Sequence, residues 1–122
     1  MAKTTELHFA IFSEAVYKWQ QTLGLLDWSI YLAHEADSEG YGSCTPNNTG
    51  RVATITLNTE WDDMRPITPG SLDTVALHEM LHLLLADLTW LIECRYLTES
   101  DIMPAEHAAI RRLEKALTGS NG

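Results

Sequence analysis

Apolar and polar positions along this chain follow two different periods, and the places where the period changes mark its elements. From about Thr5 to Leu23, Phe12, Val16, Trp19 and Leu23 recur at helical spacing with Ala15 beside them, and Gly24 follows as a C-terminal cap. The first element is therefore an amphipathic helix. Trp28, Ile30, Leu32 and His34 then alternate with Ser29, Tyr31, Ala33 and Glu35, the period of a strand with two unlike faces. A second long strand, Arg51 to Asn58, alternates Ala53, Ile55 and Leu57 with Val52, Thr54 and Thr56. Between them, Tyr41 to Thr45 forms a short third strand that turns back through the turn-rich stretch Pro46-Asn47-Asn48-Thr49-Gly50. A small antiparallel or mixed sheet of about three strands results.

After a loop from Glu60 to Ile67, Thr68 is the expected N-cap of a second helix with Pro69 at its first position, Ser71 being the alternative cap one turn later. A last helix, from about Pro104 to Thr118, places Ile110, Leu113 and Leu117 on one face and turns Arg111, Arg112, Glu114 and Lys115 largely away from it. There is no internal repeat. The order of helix, strands, helix and helix predicts an α+β fold, and residues 1–122 read as a single domain with a modest core, 45% of positions being hydrophobic.

Charge narrows the partners. Seventeen acidic residues against eight basic ones give a formal charge of −9, which repels phosphate backbones, so nucleic acid is not an expected partner. No membrane is expected either. The apolar run from Leu81 to Ile92 is interrupted by His82, Asp87 and Thr89 and is too short to span a bilayer, and Glu6, His8, Ser13 and Glu14 break up the only stretch that resembles a signal peptide. The expected location is cytoplasmic. Cys44 and Cys94 match no metal-binding spacing and are expected to be free thiols, and the acceptor pattern Asn47-Asn48-Thr49 matters only in a secreted protein.

The chemistry lies in His78-Glu79-Met80-Leu81-His82. Residues four apart on a helix stand one above the other, so His78 and His82 can offer two imidazole nitrogens to one metal ion, a single Zn2+ per chain. Glu79 follows the first ligand and occupies the position of a general base toward a metal-activated water. Chance alone produces such a pentapeptide in a chain of this composition roughly one or two times in a hundred. The competing reading is a buried helix whose histidines bond elsewhere and whose Glu79 is a surface charge. Against it, Val75, His78, His82 and Leu85 share one stripe, read here as facing the core.

Catalytic zinc takes three protein ligands as a rule, so a third must come from outside the motif. Glu106 shares a helical stripe with Ile110, Leu113 and Leu117 and is expected to face inward, where metal binding would satisfy a carboxylate. His107, on the wetter side with Arg111 and Glu114, is the rival, and a plain first-turn acid is the alternative reading of Glu106. Asp87 is either a support for a ligand histidine or a solvated helix-end acid, and His34 is read as a satisfied core or rim histidine. His8 carries no signal. Tyr31, Tyr41 and Tyr96 are candidate oxyanion donors that nothing in the sequence places near the metal.

At these residues the chain resembles a zincin, the metallopeptidase class whose active helix carries HExxH beneath a small twisted sheet. Residues 75–85, which hold the motif, followed by Ala105-Glu106-His107-Ala108-Ala109-Ile110-Arg111-Arg112-Leu113-Glu114, are similar to the small metallopeptidases of phages and bacteria laid out as minimal gluzincins. The resemblance covers most of the chain in order, and its specific part is the motif helix. It implies a zinc-dependent peptidase acting on peptide or protein substrates, with His78, His82 and Glu106 as ligands and Glu79 as base. Larger gluzincins carry an aspartate four residues after the ligand glutamate; that position is Ile110 here. The metzincin extension is absent from Asp87 to Leu91. Related readings are a regulatory protease serving one repressor-like partner, a DNA-associated protease, which the charge of −9 disfavours, and a non-catalytic zinc-binding domain. Zincins commonly receive an extended peptide on an outermost strand, a role expected here of Arg51 to Asn58.

Overall fold

The computed structural model describes residues 2–37, 40–94 and 98–118. Among them the chain forms α1 (Glu6–Thr22), a three-stranded sheet of β2 (Ser29–Glu35), β3 (Gly42–Asn47) and β4 (Val52–Asn58), and the helices α2 (Pro69–Leu84), α3 (Ala86–Ile92) and α4 (Glu99–Thr118). A two-stranded ribbon, β1 (Ala2–Lys3) against β5 (Glu60–Trp61), ties the start of the chain to the end of the sheet. The fold is α+β, as the order of periods predicts.

The sheet is mixed. Its order is β2-β4-β3, with β4 parallel to β2 and antiparallel to β3. The reason is burial: β4 is the most enclosed strand, with Ala53, Ile55, Thr56, Leu57 and Asn58 all buried, so it takes the centre and the earlier strands flank it. The chain must cross from β2 to the far side of β4, and Asn58 secures that crossing. Its amide nitrogen donates to the carbonyls of Asp37 and Gly40, both at 2.6 Å, and its oxygen accepts from the N–H groups of Asp37 and Glu60, both at 3.1 Å. One face of the sheet packs on α1 and α2 through Ile55, Leu57, Phe12, Val16, Leu72, Met80 and Leu83. The other face, with Tyr31, Thr45 and Thr54, is open to solvent or half-buried.

The helices begin where local chemistry allows. Thr5 caps α1, its hydroxyl accepting from the His8 N–H while the His8 ring accepts from the Thr5 N–H, so His8 is a capping residue. Thr68 caps α2 with Pro69 beyond it, and Ser71 returns a bond to the Thr68 N–H, so both cap candidates act in one reciprocal cap. Helix α2 stops at Leu85, and α3 sets off at an angle of 51°. Helix α4 starts five residues earlier than the proline predicts and holds Pro104 within it. Among the described residues, no single helix is long and apolar enough to cross a membrane.

Two contacts position α2. Asp73 accepts from Lys18 Nζ at 2.8 Å and from Trp19 Nε1 at 2.9 Å, which ties α1 to the first turns of α2. On the sheet side Gly42 lets β3 and α2 approach closely: a Cβ there would stand 2.8 Å from the Thr56 carbonyl oxygen and 3.1 Å from Val75 Cγ1. Gly42→Ala should therefore cost about 1–3 kcal/mol, read as a lower urea midpoint; an unchanged midpoint would mean that the helix does not depend on this approach.

The hydrogen bond from Lys18 holds the Asp73 carboxyl below the usual carboxylate range. Its stabilisation is therefore complete above the unfolded value near ~3.9 and is lost as pH falls through the lowered folded value. Both side chains are more than a third exposed, so solvent screening keeps the contribution within about 1 kcal/mol. Asp73→Asn should unfold at lower urea than the parent at pH 7, with the gap closing as pH drops below 4. A gap that widens in acid would contradict the sign.

Candidate active site

Helix α2 buries one stripe, Leu72, Val75, Ala76, Glu79, Met80, Leu83 and Leu84. The expected assignment of the motif's faces is thereby corrected. His78 and His82 do not lie on the core-facing stripe; both are exposed, and Leu85 is 40% exposed. Consecutive helical residues are separated by about 100°, and the apolar stripe centres on Leu72, Ala76 and Leu83. That rotation turns the histidines outward and carries Glu79 into the interior, where only 6% of it is exposed.

The two imidazoles stand together as their spacing predicts, ring centroids 4.9 Å apart and nearly perpendicular. With Glu79 they line a cleft of about 290 Å³ whose other walls are Gly42, Ser43, Cys44, Pro46 and Thr89. Strand β3 forms the wall facing the helix. Glu79 has no hydrogen-bond partner among the described residues. Burial raises its carboxyl above the usual carboxylate range; positive charge on His78 and His82 pulls the other way, and Asp37 adds to the rise. Burial also pushes the Cys44 thiol up to about 12, with Glu79 contributing, so the free thiol at neutral pH is protonated.

The candidates for a third ligand are placed elsewhere. Glu106 and His107 are both exposed on α4 and neither lines the cleft. The inward stripe predicted for Glu106 is corrected, since Ile110 is 42% and Leu117 83% exposed while Ala109 is buried with Ile102, Ala105 and Leu113 half-buried around it. The covered side of α4 is the one that carries Ile102, Ala105, Ala109 and Leu113, and Glu106 lies off it. Among the described residues, no three histidine, cysteine, aspartate or glutamate side chains converge as a ready metal-holding group.

Comparison with protein-family models, curated proteins and solved structures finds no match. The site therefore rests on this chain's own residues.

The remaining candidates have structural partners. Asp87 accepts from Arg51 and from Asn48, not from a histidine, and Arg51 also pairs with Asp27 and lies over the Trp28 ring. His34 bonds Thr4 Oγ1 at 2.7 Å and stacks on Phe9, the satisfied histidine expected of it. Tyr41 donates to Asp62 at 2.8 Å, Tyr31 is 62% exposed on the sheet, and Tyr96 lies outside the described residues. A larger groove of about 590 Å³ between the end of α1 and α4 is lined by Arg111, Arg112 and Lys115 and holds none of the motif residues. Sequence reasoning missed Gly42 and Cys44 as cleft residues; the signal available was only that a strand must lie beside the motif helix.

Proposed function

We propose that this chain is a zincin-like, zinc-dependent metallohydrolase, a peptidase acting on peptide or protein substrates in the cytoplasm. The observation that carries the reading is Glu79: a carboxylate 6% exposed, without a hydrogen-bond partner among the described residues, on the floor of a cleft between two outward imidazoles. A carboxylate carried on the core-facing stripe of a helix costs stability relative to an apolar residue, and a carboxyl raised by burial beside a cleft marks a site for proton transfer. The donor set suits the metal, because neutral imidazoles are good ligands for zinc and His78 and His82 point into the same cleft.

A zinc ion held there supplies Lewis acidity toward a carbonyl oxygen and toward water. The protein's part is proton handling. Glu79 takes the proton of the attacking water and returns it to the departing amine, and a carboxyl raised by burial is better matched to both transfers near neutral pH. Glu79→Gln keeps the shape and removes the base, so it should lower kcat by about 100-fold or more while zinc content, measured by plasma mass spectrometry, stays at the wild-type level. Turnover unaffected by this change would remove the catalytic reading and leave a non-catalytic zinc-binding domain.

The strand that receives substrate is reassigned. Arg51 to Asn58 cannot be the outer edge, because β4 is paired on both sides; the free edge beside the cleft is β3. The Asn58 N–H bonds the Tyr41 carbonyl, which fixes the pairing parity and turns the backbone of Gly42, Cys44 and Pro46 outward. Gly42 is buried and proline lacks the N–H, so the edge offers one complete, accessible rung, at Cys44. A substrate peptide N-methylated at one amide at a time should lose turnover at a single position, the residue paired with Cys44. Indifference to N-methylation throughout would remove strand pairing from the reading.

A further inference from the structure

We infer that Cys44, presented from the edge strand β3 into the cleft of His78, Glu79 and His82, is the third protein ligand of a divalent transition metal at this site. The inference rests on the metal site proposed above and deepens it. Two imidazoles are one donor short of an open catalytic set, and the remaining donor must lie within the same cleft. Glu106 and His107 are exposed on α4 and do not line it. Of the other walls, Ser43 and Thr89 offer hydroxyls, poor ligands for zinc, whereas Cys44 offers sulfur.

Its placement follows from the strand. Gly42 stands against Val75 and Glu79, where a Cβ would be 3.6 Å from Glu79 Cγ. Side chains two apart on a strand share a face, so Cys44 projects toward the same helix one step further along. The independent sign of a ligand is Glu79, 6% exposed, aimed into the cleft and unpartnered by any hydrogen bond among the described residues. A cation beside it would compensate that charge.

The three donors do not yet converge. Cysteine turns about a single torsion among three staggered positions, and binding requires the thiol to turn from its β3–α2 packing toward the histidines. On binding, the S–H bond breaks, a sulfur–metal bond forms, and the proton passes to solvent. The resulting set of two nitrogens and one thiolate favours zinc, cobalt or ferrous iron over magnesium and calcium, and leaves a position open for water.

Cobalt(II) tests this without relying on activity. The full-length protein, stripped with chelator and loaded with one equivalent of Co2+, should show a thiolate-to-cobalt charge-transfer band in the near ultraviolet. The band should vanish in Cys44→Ser, whose fold is checked by circular dichroism, and persist in Cys94→Ser, Glu106→Ala and His107→Ala. Zinc affinity in Cys44→Ser should fall by more than the roughly 10–100-fold that loss of a supporting outer partner costs. One cobalt per chain that depends on His78 but gives no such band overturns Cys44 and leaves the metal site standing. A band that survives Cys44→Ser overturns it equally. Failure of the wild type to bind cobalt or zinc overturns the ligand and the metal site together.

Discussion

The close approach of α2 to β3 is the constraint on which the site depends. A helix and the edge of a sheet can come this near only where one partner lacks a side chain, and Gly42 supplies that place, with the Thr56 carbonyl behind it and Val75 in front. The approach forms the cleft, because β3 then runs along the motif helix as a wall and not as a separate layer. It also fixes the rotation of α2. Once Val75 is pressed against the strand, Glu79 follows it inward and His78 and His82 are left facing the opening.

That rotation distributes cost and function. The core-facing stripe of α2 would be more stabilising with an apolar residue at Glu79, since the neighbours Leu72, Ala76, Met80 and Leu83 bury fully or nearly so. The helix turn of Glu79 is packed by the buried residues Val75, Ala76, Met80 and Leu83, and on the proposed reading a base that need not reorganise is worth more than a flexible one. The histidines, by contrast, remain accessible enough to meet an ion from solvent. One turn of helix thus joins a buried carboxylate to two exposed imidazoles, and the difference comes from a single step of about 100°.

The sequence made the repetitive parts of this arrangement legible. Thr68 and Pro69 announce α2, the alternation of Ala53, Ile55 and Leu57 announces β4, and the spacing of His78 and His82 is enough to predict that their rings meet. Features decided by tertiary contact were not legible. Two-residue strands such as Ala2–Lys3 and Glu60–Trp61 have no period to detect. The break at Leu85 falls inside a continuous apolar run, so neither composition nor capping marks it. Strand order depends on which strand is buried from both sides, and the face that Glu106 presents depends on which side of α4 its neighbours cover. The cleft residues Gly42 and Cys44 were hidden for the same reason: their meaning lies in the helix opposite them.

The charge of the chain completes the argument about what can enter the cleft. A surface with a formal charge of −9 raises the local concentration of divalent cations and lowers that of anions, which suits the metal site proposed for the two imidazoles and disfavours phosphate-bearing partners. No lysine or arginine lines the cleft, and its walls offer strand backbone, a thiol and hydroxyls. On the proposed reading, recognition there relies on main-chain hydrogen bonds and shape, which any extended peptide can satisfy, and not on a charged anchor. On that reading selectivity comes from how far the edge runs. Gly42 is buried and Pro46 lacks an N–H, so a strand pairing there would grip a substrate only at Cys44, beside the histidines, and leave the rest of it unread.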